Sequence, residues 1–319
     1  MIYIATIANT HAELARRCIA AGKPLLIEKP MALCAEDVSD LIAKARERRV
    51  LLVEGMWTRA FPAVRKLREL LGDGAIGDVI AVQTDFGWPA SSDPDGEHAR
   101  LLDATSGGCA LDIAMYPIAH VLCASGGAAP SVIRATGQRM PTPAGASVDW
   151  CFSASLSGFE GRPALCASIL CSLHASTPEE VVITGTKGTL RLHGPAHAPE
   201  RLTLSVAHGR SFEEETFEFP LPPTPEGALP FVRSFKRRTR CPMQLSTPAR
   251  PSIPDGRHTV PCALWLCATQ NYPGAEGFVY EARAVHEALQ AQQCEADHWT
   301  HHEAQVTMQV IDALRAAVE

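Results

Sequence analysis

The chain has 319 residues, 46% of them hydrophobic and 20% charged, with a net charge of -6. That is ordinary for a soluble globular protein long enough for two domains, and the acidic balance argues against a general nucleic-acid or acidic-membrane binder. No apolar run is long enough to cross a bilayer, and no basic leader with a cleavage site is recognisable. The eleven cysteines are odd in number and mostly set singly in apolar stretches (Cys18, Cys123, Cys151, Cys166, Cys171), which suits buried, reduced thiols and a cytoplasmic location.

Ile2-Tyr3-Ile4-Ala5-Thr6 reads as a buried strand. Thr10 and Glu13 have the spacing of a capping box, and Leu14, Cys18 and Ile19 form the apolar face of a helix ending at Gly22. Leu25-Leu26-Ile27 predicts a second strand, stopped at Glu28-Lys29-Pro30. Val38, Leu41, Ile42 and Ala45 predict a second helix; Val50 to Val53 predict a third strand, and Pro62 to Leu71 a third helix. Strands and helices alternating at this length imply a parallel sheet covered on both faces.

After Gly72, Gly74 and Gly77 the period changes. Residues 79–86 alternate as a strand, and a long polar loop leads to the apolar segment Ser106–His120. Strand-like runs follow at 132–139, 148–156, 164–173, 181–184, 189–193, 201–206 and 215–219, with almost no helical pattern between them. This predicts a mostly antiparallel open sheet in an α+β arrangement. Residues 228–270 are rich in arginine and proline with a single acid, Asp255, and read as a non-globular surface insertion. Two amphipathic helices close the chain, one with Val279, Ala282, Val285 and Leu289, the other with Val306, Val310, Leu314 and Val318. Between them His298, His301 and His302 have no ligand partner at a recognised metal spacing, so a solvated loop is expected and no metal site.

Within Ser106–His120, Asp112 and Tyr116 are four apart, which one continuous helix would place on the same face. Ligands bind an open parallel sheet at the carboxyl ends of its strands. Lys29 stands at such an end, kept extended by Pro30. A lysine beside a tyrosine stabilises the phenolate, and a nearby carboxylate orients the pair. Lys29, Asp112 and Tyr116 together suit removal of a proton from a hydroxyl whose carbon gives up hydride.

The segments Ile27-Glu28-Lys29-Pro30, Glu54 to Ala63, Gly74 to Asp78, Gly107-Gly108 with Leu111-Asp112-Ile113 and Tyr116, Gly185 to Gly188, Phe219 to Pro223, and Gly277 to Ala282 carry a resemblance. The chain resembles the glucose–fructose oxidoreductase / inositol dehydrogenase / MocA superfamily, and within it the branch of dimeric dihydrodiol and D-xylose dehydrogenases. The resemblance implies catalytic roles for Lys29, Asp112 and Tyr116, with Tyr116 the acid/base. It implies that Thr6, His11, Glu28, Lys29 and Arg59 lie by the dinucleotide and that Trp57 and Phe86 wall the substrate pocket. It also implies NADP, or NAD, as cofactor, a diol or sugar substrate, and a homodimer through the second-domain sheet.

The expected organisation is an α/β one. An incomplete Rossmann-type parallel sheet (1–77, lacking its first strands) precedes a substrate and dimerisation domain (78–319), which carries the 228–270 insertion. The family's opening strand and Gly-x-Gly-x-x-Gly turn have no counterpart, with the first residue falling in what should be the fourth strand. Hydride transfer between NADP and a diol or sugar hydroxyl is the expected reaction. The alternatives are a chain inactive for want of that turn, or a non-catalytic dimer that binds a sugar or a partner. Neither nucleic acid nor membrane is an expected partner.

Overall fold

The computed structural model describes residues 1–209, 211–223 and 274–318. Two compact units are distinguished: Met1–Leu221 with Gly277–Glu319, and Pro222–Glu276. Every element described below belongs to the first unit; the arginine-rich stretch 228–270 lies outside the described residues.

Three parallel strands, β1 (Ile2–Ile4), β2 (Leu25–Glu28) and β3 (Leu52–Gly55), lie in that order, with Ile4 opposite Ile27 and Ile27 opposite Glu54. Their connections are α1 (His11–Ala20) and α2 (Ala35–Arg48). In α2 the acids Glu36 and Asp37 sit in the first turn and Arg46 and Arg48 in the last, which complements the helix dipole. Helix α3 (Pro62–Gly72) starts on Pro62, where no backbone N–H is needed. The capping-box spacing at Thr10 and Glu13 is not used. Thr10 instead donates to the Ile7 carbonyl, and the helix begins after a 3-10 turn.

The second sheet has eight strands: β4 (Val79–Gly87), β5 (Val132–Pro141), β6 (Ser147–Phe159), β7 (Arg162–Ser172), β8 (Val181–Gly185), β9 (Gly188–Leu192), β10 (Arg201–His208) and β11 (Ser211–Glu218). Their order is β11-β10-β9-β8-β4-β7-β6-β5, and only β4–β7 is a parallel pairing. The period-2 patterns become one buried face, with Phe152, Ala154 and Leu156 of β6 and Leu165, Ala167 and Ile169 of β7 inside. Cys166, expected inside, points outward because the β7 alternation places it on the open face.

The segment Ser106–His120 is not one helix. It forms α4 (Cys109–Ile113) and α5 (Met115–Ser125), broken at Ala114. Pro117 explains the break: it lacks the N–H that would bond the Ile113 carbonyl, and it is tolerated only in the first turn of a new helix. Gly108 opens α4 at φ +95°, and a Cβ there would lie 2.6 Å from Asp149 Oδ1. The Ala110 N–H donates to Asp149 at 2.5 Å, so a carboxylate closes the helix start.

Two closing helices form, α6 (Phe278–Gln290) and α7 (His301–Ala317); α7 buries Val306, Val310 and Leu314 as expected, whereas α6 buries Glu281, Ala284, Val285 and Ala288 and leaves Ala282, expected inside, exposed. Thr300 and Glu303 make a reciprocal capping box at the start of α7. The histidines between these helices are not a solvated loop: His298 and His301 are buried, and only His302 is exposed. The His301 ring packs inward because Nε2 bonds the Leu52 carbonyl at 2.9 Å. Among the described residues no helix is long and apolar enough to cross a membrane, and no group of histidine, cysteine and acid residues could hold a metal ion.

Candidate active site

The strand ends supply one side of the site. Lys29 directly follows β2, and its peptide bond to Pro30 is cis. Its half-buried amine donates to the Asp112 backbone carbonyl at 2.7 Å, and Nζ lies 5.3 Å from the centroid of the Tyr116 ring. The amine at the sheet edge and the phenol from α5 are thus neighbours, although the helix between Asp112 and Tyr116 is broken.

Tyr116 is 2% exposed. Its oxygen accepts a hydrogen bond from Trp57 Nε1 at 3.0 Å, and its ring is 5.1 Å from that of Phe86. A cation near the ring and an N–H donor at the oxygen both favour the phenolate over the phenol. The Asp112 carboxylate is nearly as buried. One oxygen accepts from Arg100 at 2.6 Å, and the other has no partner among the described residues. Burial pushes the Asp112 carboxyl up, but the charges of Lys29 and Arg100, the Arg100 hydrogen bond and a smaller influence of His98 outweigh it. The group is held below the usual carboxylate range.

Trp57 and Phe86 stand at this point too, but they are not alone. The His197 ring stacks on Phe86 at 5.0 Å with 6° between planes, and it lies 6.0 Å from Tyr116 and 5.9 Å from Trp57. Glu179 holds it through Nδ1 at 2.6 Å, and the Thr58 hydroxyl donates to its carbonyl. Phe278 of α6 stacks on the Trp57 indole at 4.4 Å. None of His197, Glu179 and Arg100 stood out in the sequence. His197 is an isolated histidine between prolines, and Arg100 sits in a polar loop twelve residues before its partner. Long-range packing brings them in, and no spacing rule encodes it.

The remaining strand-end residues differ among themselves. Thr6 is exposed, with its hydroxyl 2.6 Å from that of Thr10. His11 is 1% exposed, with Nδ1 2.8 Å from the Pro30 carbonyl and Nε2 3.1 Å from the Thr6 carbonyl, so it ties the two strand-end loops from behind. Glu28 accepts a hydrogen bond from Tyr3; burial first, and then the Glu28 charge, push the Tyr3 phenol well up. Arg59 is placed differently from expectation. It is 1% exposed, bonded to Glu303 at 2.5 Å and to the Ala119 carbonyl at 2.9 Å, and stacked over Trp299 at 5.1 Å. Its charge is taken up by Glu303, and Nε is left without a hydrogen-bond partner among the described residues.

Beside the carboxyl end of β1 lies a cavity of about 390 Å³ lined by Ile7, Asn9, Arg100, Asp103, Thr105 and Ser106 among others. The Asp103 carboxylate accepts from the hydroxyls and backbone of Thr105 and Ser106, which hold its pKa down at about 2. The charged groups of this lining are one cation, Arg100, and one anion, Asp103, among mostly apolar neighbours. The stretch with Gly-x-Gly-x-x-Gly spacing, Gly72 to Gly77, ends α3 and leads into β4. It therefore runs from helix to strand, the reverse of a phosphate-binding turn, and directs no helix N-terminus at a phosphate.

Residues 64–191 match the GFO/IDH/MocA C-terminal domain, and residues 1–56 match the oxidoreductase family NAD-binding Rossmann fold. The chain belongs to the GFO/IDH/MocA family. It is 35% identical over 227 residues to trans-1,2-dihydrobenzene-1,2-diol dehydrogenase of Sus scrofa, covering 70% of this chain and 61% of that protein. The chain thus spans about three-fifths of the length of such relatives. Among solved structures it superposes on aldose-aldose oxidoreductase from Caulobacter crescentus (TM-score 0.69, 19% identity, 99% of this chain and 76% of that one). It also superposes on KijD10, a 3-ketoreductase from Actinomadura kijaniata solved with NADP (TM-score 0.68, 20% identity, 99% and 78%). At these identities the two structures speak for the fold alone.

Proposed function

We propose that this family member carries out NADP-linked oxidation of a vicinal diol or sugar hydroxyl, of the trans-1,2-dihydrodiol or D-xylose type. The observation that carries the reading is the meeting of the Lys29 amine with Asp112 and Tyr116 at the carboxyl ends of a parallel sheet. The 35% identity with a dihydrodiol dehydrogenase supports the substrate class.

NADP, when bound, supplies the hydride acceptor. Thr6 and Lys29, with the Asn9 and Asp103 crevice beside them, would hold its nicotinamide riboside end, while Glu28 and His11 fix the loops. The Tyr116 phenolate oxygen takes the proton of the substrate hydroxyl, with Trp57 Nε1 already donating to that oxygen and the Lys29 ammonium stabilising its charge. Asp112, kept anionic, balances the amine. Trp57, Phe86 and His197 form a packed aromatic wall behind the Tyr116 phenol. The open face of the eight-stranded sheet, where Leu170 and Val132 are exposed, is the surface proposed for a homodimer.

The test is turnover of a trans-dihydrodiol or D-xylose with NADP, alongside NADPH fluorescence on titration with protein. Tyr116→Phe and Lys29→Met are each expected to lower kcat by about 10²- to 10⁴-fold, the range of a lost acid/base group. Near-normal turnover in either variant removes the assignment. Unchanged NADPH fluorescence at high protein concentration leaves a binding homologue without redox chemistry.

A further inference from the structure

Away from the strand ends, α3, α6 and the loop after α6 enclose a cavity of about 410 Å³. Arg65 and Arg68, one turn apart on α3, line it together with Glu287, Gln293, Asp297 and His298. Ala284 and Ala288 of α6 keep that wall low and leave room for a ligand. None of these residues belongs to the site described above.

Two observations bear on what this cavity could hold. Among the described residues neither Arg65 nor Arg68 has a carboxylate within ion-pair distance, although Glu287 and Asp297 line the same cavity; Arg68 donates only a long bond, 3.4 Å, to the Asp297 carbonyl. His298 is 5% exposed, and neither ring nitrogen has a hydrogen-bond partner. Both ring nitrogens are closed off by protein, so the imidazole stands in the cavity wall and offers no hydrogen bond to a ligand. Burial, and then the positive charges of Arg59, Arg65 and Arg68, hold its pKa down at about 4, so at neutral pH it is uncharged.

The wall that carries His298 is fixed before any ligand arrives. The Leu52 N–H bonds the Cys294 carbonyl at 2.9 Å, Ala296 pairs with Trp299, and the Trp299 indole donates to Glu54 at 2.7 Å. Preorganisation of this kind lowers the ordering cost of binding.

We propose that this cavity is a second ligand site, for a phosphorylated sugar or polyol. Arg65 and Arg68 donate to the phosphoryl oxygens, while the ligand's hydroxyls donate to the Glu287 and Asp297 carboxylates. Guanidinium groups suit phosphoryl oxygens, and carboxylates facing the same space suit a ligand that is anionic at one end and rich in O–H donors at the other. The volume is that of a small-molecule pocket. Its one aromatic ring is the buried His298 imidazole, and no phenyl, phenol or indole face is offered to a nucleotide base. The proposal is independent of the redox reading, and its test uses binding alone.

Glucose 6-phosphate is titrated into the full chain by calorimetry and ligand-observed NMR, with glucose and inorganic phosphate in parallel. Glucose 6-phosphate is expected to bind in the millimolar range or tighter, inorganic phosphate more weakly and glucose not measurably. Arg65→Ala and Arg68→Ala, both at exposed positions and checked for folding by circular dichroism, should each weaken binding by about tenfold or more, the scale of a charge-assisted hydrogen bond. His298→Gln, which changes no ligand contact, should leave affinity unchanged. Absence of glucose 6-phosphate binding overturns the proposal, as does affinity unchanged in the double arginine variant. Equal affinity for inorganic phosphate overturns the sugar class.

Discussion

Lys29 and Arg59 follow neighbouring parallel strands, and both stand where an open sheet receives ligands. One is half-buried, its amine against a backbone carbonyl and over a phenol ring. The other is enclosed at 1% exposure and neutralised by Glu303. A cation at a strand's carboxyl end is therefore not a ligand-binding cation by position alone. The side chain must leave the sheet toward the crevice, and what it meets on the far side decides its use.

That contrast can be broken most directly by removing each charge and measuring stability. Arg59→Ala leaves Glu303 buried without a counter-charge, so urea unfolding should show a loss of about 3–5 kcal/mol. Lys29→Met keeps most of the buried stem and should change stability by less than about 1 kcal/mol. Comparable losses in the two variants would erase the distinction.

The next effect is one of pH. Burial holds the His120 pKa down at about 4, against 6.5 when unperturbed. The folded chain keeps this imidazole neutral while the unfolded chain protonates it. Stability should fall as pH drops from 6.5 to 4, by about 3 kcal/mol from this group, and level off below. His120→Gln should flatten that part of the curve, as followed by unfolding midpoints between pH 4 and 7.

Glu281 shifts the other way. Burial, then Glu28 and Glu54, push its carboxyl well up. The folded state holds a proton that the unfolded state releases, so this contribution is full at low pH and is lost as pH rises through the folded pKa. Glu281→Gln should match the parent at pH 4 and exceed it at pH 8, by on the order of 1 kcal/mol per unit of displacement. Equal stability at both pH values would remove Glu281 from the pH response. Smallest is Tyr3→Phe, which removes the hydrogen bond to Glu28 and should lower stability by about 0.5–1.5 kcal/mol, again by urea unfolding.

Much of the architecture was legible in the sequence, for reasons that can be named. Period-2 alternation in 148–156 and 164–173 and helical spacing in α2, α3 and α7 follow from which side of an element meets the core. The break inside Ser106–His120 was also there to be read, in Pro117, but an apolar run hides a helix boundary. The Lys29–Pro30 end and the Asp112–Tyr116 pair mark themselves by residue type against an apolar background. Arg59, His197 and the buried His298 do not. What each touches depends on residues from 18 to 244 positions away, and no local pattern distinguishes a guanidinium aimed at a crevice from one aimed at Glu303.

The His11 ring faces two carbonyl oxygens, one from each of the first two strand-end loops. Both loops are therefore held against one rigid ring. The two lips of the crevice mouth are thereby coupled through a residue that no ligand needs to reach.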